Sequence, residues 1–76
     1  MNKDRRGRLA VLLEQIEAVK SSVEEILSEE EEVQDNIPEN LWSTEVYERS
    51  EAACDSLADA VVSLEDVIAS MEDAKE

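Results

Sequence analysis

The side chains able to do chemistry in this chain are carboxylates and one thiol. Asp and Glu number 21, Lys and Arg 7, and histidine is missing. Without histidine there is no Glu-x-x-His motif of the kind that holds two iron ions inside a helical bundle, and no imidazole general base. Cys54 is the single cysteine, so neither an intramolecular disulfide nor a cysteine pair for zinc can form. It falls on an apolar seam with no histidine to activate it, which predicts a buried structural thiol and not a nucleophile. The densest acidic run is Glu29, Glu30, Glu31 and Glu32, followed by Asp35 and Glu39. A calcium loop needs oxygen ligands at fixed alternate positions around a glycine, and this run lacks that spacing. There is no glycine-rich phosphate loop. The residue types therefore predict a non-enzymatic protein that uses no cofactor and no metal.

What the carboxylates can do is present charge. The basic residues cluster at the start as Lys3, Arg5, Arg6 and Arg8; beyond them lie 20 acids against only Lys20, Arg49 and Lys75. A formal charge of −14 repels nucleic-acid phosphates and anionic membranes, so neither DNA, RNA nor a membrane is an expected partner. A basic protein surface is, including one that ordinarily holds nucleic acid. Glu24, Glu25, Glu31, Glu32 and Asp35 fall on the outer side of the first half and are the candidates for such a face. The alternative is that the acids only keep a short bundle soluble.

The elements that must carry this charge follow from apolar spacing. Leu9, Leu12, Ile16, Val19, Val23, Ile26 and Val33 alternate by threes and fours, and Tyr47, Cys54, Leu57, Val61, Leu64, Ile68 and Met71 follow the same rhythm. Each set lines one side of an α-helix, and the length of the repeat predicts helices packed along each other. Pro38, the only proline, sits near the midpoint among turn-forming residues and interrupts the helix. The prediction is a single domain, an all-α antiparallel hairpin: helix 1 over about 4–34, a turn over 35–43 with a short helical turn at Pro38–Trp42, and helix 2 over about 44–74. Ser43 or Thr44 would cap helix 2.

In an antiparallel pair, facing residues share a constant index sum. A sum of 80 pairs Leu9 with Met71, Ile16 with Leu64, Val23 with Leu57 and Val33 with Tyr47. The one polar layer it creates is Glu30 with Ser50. It also predicts that Lys20 approaches Asp59, Asp4 approaches Lys75, and Glu30 lies beside Arg49.

A further row, Val46, Ala53, Ala60, Val67 and Ala74, recurs every seventh residue beside the helix 2 seam, and Leu13 and Leu27 flank the helix 1 seam. A lone two-helix hairpin cannot cover all of these. They predict self-association, most simply a homodimer forming a four-helix bundle; the rival is a partner helix in the same groove. Trp42, in the turn, would either plug the open end with Ile37, Leu41 and Tyr47 or stand exposed as an anchor for a partner.

The stretch Asp35-Asn36-Ile37-Pro38-Glu39-Asn40-Leu41, followed by Ser43-Thr44-Glu45-Val46-Tyr47-Glu48, resembles a pattern in a family of small acidic helical-hairpin proteins of bacteria and their phages. There, a turn of the Asp-Asn-Leu-Pro-Glu-Asn-Leu type precedes a Ser-Glu-x-Tyr-Glu helix start. The resemblance covers the turn and helix 2; Ile37 and Trp42 stand where leucine and a polar residue are expected. It implies a cytoplasmic setting in a bacterial cell and an inhibitor that binds a basic host or defence protein. The alternative function is a coiled-coil adaptor or scaffold.

Overall fold

The computed structural model describes all 76 residues. Two long helices, α1 (Lys3–Asp35) and α2 (Glu45–Lys75), pack antiparallel across a single 3-10 turn at Glu39–Leu41. The result is a hairpin of 59 × 15 × 13 Å. The boundaries fall within a residue or so of those the spacing predicts.

Local chemistry explains each end. Asn2 caps α1, its side chain accepting from the Arg5 amide at 2.9 Å; this satisfies one of the amides left open at a helix start. α1 closes where the Asn36 amide reaches back to the carbonyls of Glu32 and Val33, both at 3.2 Å. Pro38 then takes an extended backbone (ψ 143°) and its carbonyl accepts from the Leu41 amide at 2.8 Å. Thr44 occupies the cap position of α2, but its hydroxyl does not accept from the helix. It donates to the Leu41 carbonyl at 2.6 Å, fastening the 3-10 turn to the helix start. Glu45 and Glu48 lie in the first turn of α2 and Lys75 in its last, which suits the helix dipole at both ends.

The register is fixed near the turn. The Ser50 hydroxyl donates to Glu30 Oε1 at 2.9 Å, which is the polar layer at index sum 80. On α2 the interior is the predicted seam, with Cys54 buried and Leu57, Val61, Leu64, Ile68 and Met71 half-buried.

On α1 the interior is rotated from the prediction. Leu9, Ile16, Val23 and Glu30 face α2, but their companions are Leu13, Lys20, Leu27 and Gln34. Leu12, Val19, Ile26 and Val33, predicted inside, are exposed, as is Val46. Leu13, predicted to flank the seam and serve self-association, is instead the most buried hydrophobic side chain, and Leu27 turns inward with it. The cause is that two rows flank the row of Leu9 symmetrically, one on each side. Both rows give alternating three-four spacing, so spacing alone cannot choose between them.

The predicted ion pairs change accordingly. Lys20 meets Glu65 at 3.5 Å, not Asp59. Asp4 pairs with Arg8 at 3.2 Å within the first turns of α1, and Arg49 pairs with Glu45 one turn back on α2. Bonds within one helix form without long-range placement of flexible side chains, so they win over cross-helix pairs of similar strength.

Candidate functional site

The rotation of α1 sorts the surface into two opposed sides. On each helix one row immediately precedes an interior position: Leu12 before Leu13, Val19 before Lys20, Val46 before Tyr47, Ala53 before Cys54. A second row immediately follows one: Glu17 after Ile16, Glu24 after Val23, Glu65 after Leu64, Glu72 after Met71. Because the helices run antiparallel, the preceding rows of both helices come to the same side of the pair, and the following rows come to the other.

The first side is apolar. It carries Leu12, Val19, Ile26 and Val33 from α1 beside Val46, Ala53, Ala60, Val67 and Ala74 from α2. Their index sums of 79 put Leu12 level with Val67, Val19 with Ala60, Ile26 with Ala53 and Val33 with Val46. Ala53 and Ala60 are half-buried beneath their larger neighbours, while Val19 and Ile26 leave half their surface in water. The outer margins of this side are Arg8, Gln15, Ser22 and Glu29 on α1, and Arg49, Ser56, Ser63 and Ser70 on α2. Of the chain's 21 acids, Glu29 alone lies here.

The second side is acidic. Glu17, Glu24, Glu65 and Glu72 line an open groove between the helices, floored by Ile68 and Ala69 and crossed by Lys20. The Lys20 stem lies against the helix pair and its ammonium reaches Glu65, leaving the side chain 28% exposed. This is the snorkelling expected of a lysine at an interior position. Of the predicted acidic candidates, Glu24 and Glu31 fall on this side. Glu25 and Glu32 point away along the back of α1, and Asp35 ends that helix. Sequence reasoning did not single out Glu65. The signal was its place one residue after Leu64, in register with Glu51 and Glu72.

Trp42 plugs the turn and is at the same time half exposed. Its indole N–H donates to the Ile37 carbonyl at 3.1 Å, and its ring lies 5.7 Å from that of Tyr47, tilted by 31°. It therefore locks the turn, yet half its surface stays open. Cys54 is buried and unpaired. Burial, and then the carboxylates of Glu30, Glu31, Asp55 and Asp35, push its thiol above the ordinary value, so the thiolate is suppressed. No cluster of three or more Cys, Asp or Glu side chains is arranged to hold a metal ion. No helix is long and apolar enough to cross a membrane.

No protein-family model matches the chain, and no curated protein or solved structure matches it.

Proposed function

We propose that this chain is a non-enzymatic interaction protein whose acidic side docks on a basic protein surface. Following the resemblance of its turn to small phage and bacterial proteins, the setting is the bacterial cytoplasm and the outcome is inhibition of a host or defence protein. The observation that carries the proposal is the alignment of Glu17, Glu24, Glu65 and Glu72 along one groove of a rigid rod. Carboxylates held on helices are pre-organised, so a partner's Lys and Arg side chains meet charge without a cost of ordering it. A line of negative charge can also occupy a cleft built for a phosphate backbone.

The test is affinity capture from bacterial lysate, followed by salt elution and by charge reversal. A captured basic protein should elute steeply as salt rises, since exposed charges are screened within about 10 Å at 0.1 M. Glu24→Lys with Glu65→Lys should abolish capture while the helical signal is retained. Capture that ignores both salt and these substitutions refutes the acidic-side proposal. It would favour a coiled-coil adaptor or scaffold, a second reading for which the apolar side supplies the specific support.

A further inference from the structure

The hairpin leaves outside the row it would be expected to bury. Leu12, Val19, Ile26 and Val33 are wholly apolar, yet α1 turns the row Leu13, Lys20, Leu27 and Gln34 toward α2 and leaves the better row in water. A pair of helices folding for its own sake would gain by the opposite rotation, since burial of apolar surface is the main favourable term. The accessible surface is 5607 Å², against about 4,700 Å² for a compact monomer of this mass. The excess reflects the 59 × 15 × 13 Å shape, in which two helices have no third layer to cover their outer rows.

We infer that the apolar side is a homodimer interface, on which a second copy packs with its turn at the opposite end to form a four-helix bundle. Charge decides the occupant. A molecule of net charge −14 can approach its own copy closely only where its acids are missing, and this side carries one acid with Arg5, Arg8 and Arg49 at its edges. Charge also decides the orientation. The open end is close to neutral, because Lys3, Arg5, Arg6, Arg8 and Lys75 meet Asp4, Glu72, Asp73 and Glu76 there, whereas the turn end holding Glu29 to Glu32 is strongly acidic. Turns at the same end would stack acid on acid; turns at opposite ends set each acidic run beside the other copy's near-neutral end and its arginines. A two-fold axis crossing the rod near Val23 and Leu57 satisfies the apolar rows as well. It sets Leu12 against Val33, Val19 against Ile26 and Val46 against Val67 of the second copy, as a self-complementary two-fold contact requires.

Light scattering on the native chain should return twice the 8.5 kDa chain mass at micromolar concentration; a mass of one chain overturns the inference. Ile26→Glu should halve the mass, whereas Ala58→Glu, on the acidic side, should leave it doubled. An unchanged mass in Ile26→Glu, or an equal loss in both, overturns the assignment of the face whether or not the variants keep their helices. Orientation is read from a spin label at Ser43→Cys in a Cys54→Ala background. Labels separated by nearly the 59 Å rod length fit opposed turns, and labels within the width of two helices exclude them. These measurements use the chain alone, so their outcome is independent of whether a basic protein binds the acidic side.

Discussion

Leu12 and Leu13 are neighbours in sequence with opposite fates, and truncating each to alanine tests the rotation of α1 directly. Leu13 is 6% exposed and Leu12 is 46% exposed. Leu→Ala removes three carbons, each worth about 0.8 kcal/mol when fully buried. Leu13→Ala should therefore cost about 2.5 kcal/mol, with a small cavity contribution because a thin rod can close around the gap. Leu12 keeps nearly half its surface in water within the hairpin, so Leu12→Ala should cost only about 1 kcal/mol there. In urea, with a slope near 1 kcal/mol per molar for so small a chain, the midpoint should fall by about 2.5 M in the first case and about 1 M in the second. Far-UV circular dichroism at the lowest workable concentration reads both. At higher concentration the cost of Leu12→Ala should climb toward that of Leu13→Ala as association covers the residue. If Leu12→Ala is the more damaging of the two at high dilution, α1 faces α2 with the other row and the assignment of the two sides collapses.

Other expectations follow from single contacts. Gly7 lies inside α1 with nothing within 4 Å of where a β-carbon would stand, so Gly7→Ala should raise stability by about 0.5–1 kcal/mol in the same urea assay. Trp42→Ala removes the indole bond to Ile37 and the contact with Tyr47, and should cost about 1.5–2.5 kcal/mol. In the native chain, acrylamide should quench Trp42 to an extent between that of free and buried indole. Ser50→Ala leaves the Glu30 carboxylate without its donor and should cost about 1 kcal/mol, whereas leucine at both positions should restore or exceed native stability. The Cys54 thiol is pushed up by burial and by nearby carboxylates. Its folded value thus exceeds its unfolded one, and its contribution to stability is complete below the unfolded value and lost as pH rises through the folded one. Cys54→Ala should flatten that alkaline decline in the urea midpoint; an identical slope in both proteins would remove the thiol from the account.

Much of this fold is legible before any coordinates. Pro38 dictates the break, the three-four spacing dictates two rods, and the Glu30–Ser50 pair fixes how they slide. All three are local or arithmetical properties, readable from residue order. The caps are less so. Thr44 has the residue type of a cap, but its hydroxyl is claimed by the Leu41 carbonyl, because the 3-10 turn brings that acceptor closer than the helix amides. Cross-helix ion pairs are least legible. Arg49 had Glu45 one turn away, and a neighbour on the same helix is engaged with less loss of side-chain freedom than Glu30 across the gap.

The rotation of α1 is the one feature that spacing could not decide, and it carries the functional content. A strict two-stranded seam uses two positions in seven; α1 offers three, with Leu9's row flanked by Leu12's and Leu13's. Such a stripe is wider than one partner helix can cover, so whichever edge meets α2, the other remains. The two edges differ in charge. With Leu13's row inward, Lys20 reaches Glu65 across the groove, and Leu12, Val19, Ile26 and Val33 lie outside with no charge among them. With Leu12's row inward, Lys20 would follow an interior position, so the row left outside would be Leu13, Lys20, Leu27 and Gln34, on the same side as Glu65 and Glu72. Only the observed rotation puts an uncharged apolar row and a line of carboxylates on opposite sides of the rod.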